Sequence, residues 1–311
     1  MDFILLITGL VGLWLGTELT IGGALAIARR HQLSEFFVGL VILSIGSDLP
    51  EIAIAIDAGL EGLMGNDVSG VVVGSSVGSV VAQIGFVLGL GGLISYLSLP
   101  RPFVFKHGAV LLVSTILLFL IAFDGTVTRV EGLTLIAFYC MYVIVLANRD
   151  SAHEEKPDAI AHGGLRSWVL LAVGLVTVVL GSEVTVDSVV SIAKTFNISE
   201  ALISVLIIGL GTSLPELSIS ISAITKKRTQ MSVGNIIGSN VLDTLLPIGL
   251  AAVISTVTLE QQIIYFDIPY IFVLTTIVLA LFLGKNGVRR PQGAIILSVY
   301  AIYVIVKLAQ F

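Results

Sequence analysis

The chain has 311 residues, 56% of them hydrophobic and 12% charged, with a mean hydropathy of +1.06 and a net charge of −5. A soluble domain carries about twice that charged fraction, so a soluble globular fold is excluded and an all-α membrane protein is expected. The net charge says little in such a chain and no nucleic-acid partner is expected; the single cysteine, Cys140, excludes a disulfide framework and a thiolate metal site.

Apolar windows of about 18 residues or more, each long enough to cross a bilayer as a helix, recur throughout. Ten spans are read, at 3–27, 36–59, 68–97, 105–123, 127–147, 168–192, 201–223, 231–256, 264–284 and 292–309. The first has no basic residue before it and Arg29–Arg30 just after it, the wrong polarity for a cleaved signal peptide.

The second span is interrupted by GSDLPEIAIAI (46–56), which sets a glycine, a serine, a proline and two carboxylates in an apolar run. Pro50 donates no backbone hydrogen bond and disfavours helix in the residue before it. A broken helix is therefore expected, its first half ending near Ser44–Gly46 with free carbonyls and its second starting at Pro50–Glu51. Carbonyls and carboxylates are hard oxygen ligands, suited to sodium or calcium. A charged acid at the bilayer centre costs about 2.5–3.5 kcal/mol on insertion scales. The blander reading is a kink whose freed amides are capped by Glu51.

In the third span Ser75, Ser79 and Gln83 form one stripe on a helix. Gly70, Gly74 and Gly78 make a small-xxx-small pattern of the kind membrane helices use for close packing, so Ser75 fits either packing or ligation. Glu61 and Asp67, in the loop before it, read as an ordinary solvated acidic loop. The fourth and fifth spans carry no polar motif. Residues 148–167 (NRDSAHEEKPDAIAHGGLRS) are charged and contain Pro and Gly, a solvated linker between a first unit, 1–147, and a second, 168–311.

The second unit repeats the first. Residues 16–56 align without a gap on 181–221, with 14 of 41 positions identical. Paired isoleucines follow from shared hydrophobicity, but the pairs Gly16/Gly181, Glu18/Glu183, Gly46/Gly211 and Pro50–Glu51/Pro215–Glu216 do not. The seventh span thus carries GTSLPELSISI (211–221), a twin of the first break. The eighth carries Asn235, Ser239 and Asp243 as counterparts of Ser75, Ser79 and Gln83, with Gly234 and Gly238 as its small residues. Gln83 and Asp243 are bulky for a packing seam and are read as ligands. Glu18 and Glu183 either line an access path or cap a neighbouring helix. Asp57 and Asp187 have no counterpart. All four histidines (His31, His107, His153, His162) are assigned to loops, which excludes a buried imidazole relay.

Five spans per unit is an odd number, so the second unit is expected to lie inverted relative to the first. Inverted repeats with interrupted helices are the architecture of secondary transporters, with the site at the repeat interface near the midplane. With alternating loops, thirteen Lys and Arg residues fall on one side and only Arg129, Lys194 and Lys307 on the other. By the positive-inside rule the linker is cytoplasmic and both termini lie outside.

The pair GSDLPE/GTSLPE, each followed by a G-x-x-x-G-S segment (GSSVGS, GNIIGS), resembles the α-repeats of the cation/calcium exchanger superfamily, most closely its sodium/calcium exchanger branch in prokaryotic form, without a regulatory domain. The proton-coupled calcium branch usually has G-N-x-x-E without the proline. The resemblance covers essentially the whole chain. It implies ten transmembrane helices as two inverted five-helix repeats, broken at the Pro-Glu motifs. It implies Glu51 and Glu216 as central calcium ligands. Ser47, Thr212 and Ser213, with Ser79, Ser239 and Asp243, complete the calcium and sodium sites, joined by carbonyls near Ser44 and Gly209. The first span of each half moves across the other eight. The expected function is a plasma-membrane antiporter, not an enzyme, that exports calcium in exchange for sodium, with no cofactor and the lipid bilayer and these ions as partners; a monomer is compatible with this.

Three positions depart from the family pattern: Asp48 stands where Ser or Thr is usual, and Ser75 and Gln83 each stand for Asn. Asp48, Glu51, Glu216 and Asp243 place four carboxylates near one site. One calcium ion would leave excess negative charge in a low-dielectric interior, so either another cation binds or some carboxylates stay protonated. Exchange of calcium, or of another divalent ion, for protons is the alternative reading. An intramembrane protease is disfavoured, because loop histidines supply neither a Ser–His pair nor a metal cluster. A channel is disfavoured by the single-chain inverted repeat.

Overall fold

The computed structural model describes residues 2–66, 69–150, 164–195, 211, 213–285 and 287–309. The helices in chain order are α1 (Asp2–His31), α2 (Glu35–Ser47), α3 (Leu49–Leu63), α4 (Ser69–Ile94), α5 (Arg101–Asp124), α6 (Arg129–Asp150), α7 (Leu165–Thr195), α8 (Leu214–Thr225), α9 (Thr229–Ile254), α10 (Ile263–Gly284) and α11 (Arg290–Ala309). Among the described residues eight helices are long and apolar enough to cross a membrane, or nine if the bent pair α2–α3 is counted as one span. Of the expected seventh span, 201–223, residues 201–210 lie outside the described residues, and α8 is its described part. His153, His162 and most of the linker also lie outside them.

The burial of each helix sets its layer. Of the apolar windows of α4 and α9, 72% and 78% is buried, against 17% for α11. A helix apolar all round is either a core element or faces lipid, and here α4 and α9 are the core. α9 packs against α2, α3, α4, α5, α6 and α8. Glycines set the closest approach: Gly234 meets the Phe36 carbonyl and Gly238 the Leu40 carbonyl of α2, while Gly39 meets the Met231 carbonyl of α9. The small-residue reading of Gly234 and Gly238 is thereby borne out. A π-helical turn at Val38–Leu43 lies in α2 at this crossing, and another at Gln83–Val87 in α4.

α1 and α7 form a second layer, packed along most of their length. Gly9 sits on the Gly181 carbonyl and Thr185; reciprocally, Gly174 sits on the Gly16 carbonyl and Thr20. Each contact is made from the corresponding places of the two repeats.

Two short extended segments, absent from the sequence reading, tie the helix ends. β1 (Thr126–Val127) pairs antiparallel with β2 (Val257–Thr258), and an isolated bridge joins Leu97 to Val288. Runs this short carry no alternation to read.

One sequence assignment is corrected. His107 is not in a loop: it lies within α5, only 1% exposed, packed against Phe36 and Phe103, with Nδ1 2.7 Å from the Tyr142 hydroxyl. The run RPFVFKHG looks like a polar junction, but the α5 helix begins at Arg101, with Pro102 in its first turn. Pro fits there because that amide has no intrahelical partner.

Candidate cation site

The interruption between α2 and α3 falls at Asp48, with a bend of 46°. Pro50 occupies the first turn of α3, as Pro215 does that of α8. Each removes the amide that would bond the carbonyl four residues earlier, Gly46 or Gly211. The Gly211 carbonyl accepts instead from Ser182 Oγ of α7 at 3.4 Å. The Ser44 carbonyl is not free, contrary to the sequence reading: it accepts from the Asp48 amide at 3.0 Å and from Ser47 Oγ at 3.2 Å. The helix runs on to Ser47 before it breaks.

The breaks place Glu51 and Glu216 in the first turns of α3 and α8, where unpaired amides and the helix dipole favour negative charge. Asp48, Glu51, Glu216 and Asp243 are all at most 3% exposed. Asp48 is within electrostatic reach of the other three, and the Glu216 carboxyl lies against the side chains of Asp48 and Ser47. On the core helices, Gln83 Nε2 donates to Asp243 Oδ2 at 3.0 Å, 160 positions along the chain. Ser44, Ser47, Ser79, Ser213 and Ser239 are buried as well. Two expected ligands, Gly209 and Thr212, lie outside the described residues.

The hydrogen-bond accounting is unusual. Both carboxylate oxygens of Asp48 and of Glu216, Oε2 of Glu51 and Oδ1 of Asp243 are buried with no partner, as are Gln83 Oε1, Ser213 Oγ and Ser239 Oγ. Buried polar atoms in folded proteins are nearly always paired, and each exception calls for a cause such as an ion. No basic residue supplies one: the ion pairs among the described residues are Lys226–Glu18, Arg228–Glu35 and Lys307–Asp267, all elsewhere. The carboxylates do not by themselves make a compact cage. Among the described residues no three His, Cys, Asp or Glu side chains converge tightly enough to hold an ion. An ion here would be held by carboxylates together with hydroxyl, amide and carbonyl oxygens, the donor set of a hard, weakly polarisable cation.

Glu18 is engaged by Lys226 Nζ at 2.8 Å, whereas Glu183 and Asp187 are exposed on α7 and Asp57 is exposed on α3. Sequence reasoning missed Tyr139 of α6, buried within electrostatic reach of Asp48 and Asp243. It also missed the bond from Asn235 Nδ2 to Ser220 Oγ at 3.3 Å.

A family model described as sodium/calcium exchanger protein matches residues 1–148 and 166–309. An uncharacterized membrane protein of Methanocaldococcus jannaschii, MJ0091, is 31% identical over 295 residues, covering 94% of either chain. The sodium/calcium exchanger MaX1 of Methanosarcina acetivorans is 24% identical over 347 residues, covering 98% of each. Among solved structures, the sodium-calcium exchanger NCX_Mj soaked with 10 mM Na+ and 10 mM Sr2+ superposes with a TM-score of 0.83 at 28% identity, covering 98% of this chain and 97% of that one.

Proposed function

The chain belongs to the sodium/calcium exchanger family and is a multi-pass membrane antiporter, and we propose that it exports calcium from the cell in exchange for sodium by alternating access. The observation that carries this reading is the set of four buried carboxylates at the two Pro-Glu breaks and on α9, none with a basic partner among the described residues. A charge left in such a place needs a counter-ion or a proton.

In this reading Glu51 and Glu216 are the central ligands. Asp48, Asp243, Ser47, Thr212, Ser213, Ser79, Ser239 and Gln83 complete the sites with backbone carbonyls near Gly209. Ser44 serves by holding Ser47 and Asp48 in place. Ten spans are arranged as two inverted repeats, 1–147 and 168–311, around a cytoplasmic linker, 148–167, with both termini outside the plasma membrane. Support for the inversion comes from contacts that recur at corresponding places. The Val127–Val257 pairing is matched by Leu97–Val288, and Gly9 on Gly181 by Gly174 on Gly16. The glycine-packed α1–α7 pair is the body that moves across the rest.

The test is calcium uptake into proteoliposomes of the purified protein under an imposed sodium gradient, then under a pH gradient alone. Sodium-driven, pH-gradient-independent flux is expected. Flux driven by the pH gradient alone would replace sodium with protons, and flux without any counter-ion gradient would make the protein a channel.

A further inference from the structure

Asp48 and Ser213 occupy corresponding places at the two breaks, and their backbones agree: φ −88°, ψ 9° for Asp48 and φ −92°, ψ 5° for Ser213. Neither side chain caps the helix that follows. The turn is thus made equally well by a neutral serine, and the Asp48 carboxylate has no part in building it. Yet Asp48 is fully buried with both oxygens unpartnered. A carboxylate that neither caps nor pairs is a cost to the fold unless something binds it.

Its surroundings indicate what that is. Glu216, whose oxygens are both unpartnered, lies against Asp48, and the buried Ser47 side chain faces the same carboxyl. Ser213, at the start of the helix that bears Glu216, adds a buried hydroxyl with no partner. Two buried carboxylates side by side repel unless a cation lies between them or one of them keeps a proton. Two carboxylates and two hydroxyls offer at most about six oxygens, the lower limit of what calcium takes, and one more negative charge on the site calls for one more positive charge. We propose that Asp48 and Glu216 form a subsite for a further sodium ion, bound in the sodium-loaded state in addition to those the remaining ligands hold. The inference rests on the exchanger reading and adds to it a count: the first-repeat aspartate raises by one the number of sodium ions that compete with calcium.

The experiment is displacement of radioactive calcium from the purified full-length protein by sodium at fixed pH. Asp48→Ser, which copies the Ser213 turn, and Asp48→Asn, which keeps the side-chain shape, are both compared with the parent. The steepness of displacement is expected to fall by about one sodium ion in both variants, since each bound ion adds one power of its concentration to the linkage. An unchanged sodium steepness in both variants overturns the proposal. So does an unchanged steepness accompanied by an altered pH dependence, which would give Asp48 a proton instead. Sodium failing to displace calcium from the parent protein at any concentration is a different failure, that of the exchanger reading itself, and takes the subsite with it.

Discussion

Lys226 Nζ lies 2.8 Å from Glu18 Oε2, joining the end of α8 to α1. Two residues on, Arg228 Nη1 lies 2.6 Å from Glu35 Oε1 at the start of α2. Lys227 between them takes a left-handed φ of 62°, and its amide and that of Arg228 return to the carbonyls of Ile224 and Ala223. This is a helix-ending turn normally given to glycine, and here it aims two cations at two separate helices. Their counterparts in the first repeat are Glu61 and Leu63, neither of them a cation.

The Lys226–Glu18 pair is partly exposed, at 29% and 44%, so its contribution is screened and about 0.2–1 kcal/mol at most. Glu18→Gln is expected to lower the midpoint of thermal unfolding in detergent slightly at low salt and not at about 1 M salt. The exchanged pair Glu18→Lys with Lys226→Glu should recover the loss. Equal destabilisation at both salt concentrations would show that Glu18 acts through packing instead.

Glu51→Gln and Glu216→Gln are each expected to abolish sodium-driven calcium flux while the protein still inserts and purifies normally. Each change keeps the shape and removes one charge from a set that has no basic partner among the described residues. Calcium flux at the parent rate in either variant removes that residue from the site.

Gln83→Leu takes away the hydrogen bond that Gln83 Nε2 donates to Asp243 Oδ2. A buried acceptor left unpaired costs about 1–3 kcal/mol, so the ion-free variant should melt earlier than the parent. Calcium should restore more of the loss than it adds to the parent, because an ion that binds only the folded protein stabilises it. Equal calcium-induced shifts in both proteins would mean that the bond does not bear on ion binding.

A Cβ on Gly16 would stand 2.7 Å from the Val178 amide nitrogen and 3.0 Å from the Gly174 carbonyl, both backbone atoms of α7. Gly16→Val is therefore expected to destabilise the α1–α7 pair by about 1–3 kcal/mol. Gly22, on the same helix, is exposed with nothing within 4 Å, and Gly22→Ala should be neutral or gain up to about 1 kcal/mol of helix propensity. Thermal unfolding of the two variants makes the comparison; similar losses would remove the close approach as the cause.

Much of this was legible in the chain because the bilayer demands long apolar helices, and because the breaker and the acid recur together at Pro50–Glu51 and Pro215–Glu216. Among the described residues, span limits came within a few residues for the same reason. What escaped was local chemistry that hydropathy averages away. His107 sits beside Lys106, so its surroundings looked polar, yet the helix turns the imidazole inward onto Phe36 and Tyr142. The Ser44 carbonyl was expected to be free because Pro50 is near, but proline deprives the carbonyl four residues before it, and Ser44 keeps its donor, the Asp48 amide. Contacts between distant segments, such as Lys226 with Glu18, leave no trace in a single sequence.

The bond between Gln83 and Asp243 joins the same position of the two repeats. Were the halves separate, identical molecules meeting about a twofold axis, that position would face its own copy. Two aspartates would then repel, and two glutamines would bring no charge to the centre. Linking the halves in one chain lets a single place be occupied twice and differently. An amide can then face an acid where twofold symmetry would put an acid against an acid or an amide against an amide.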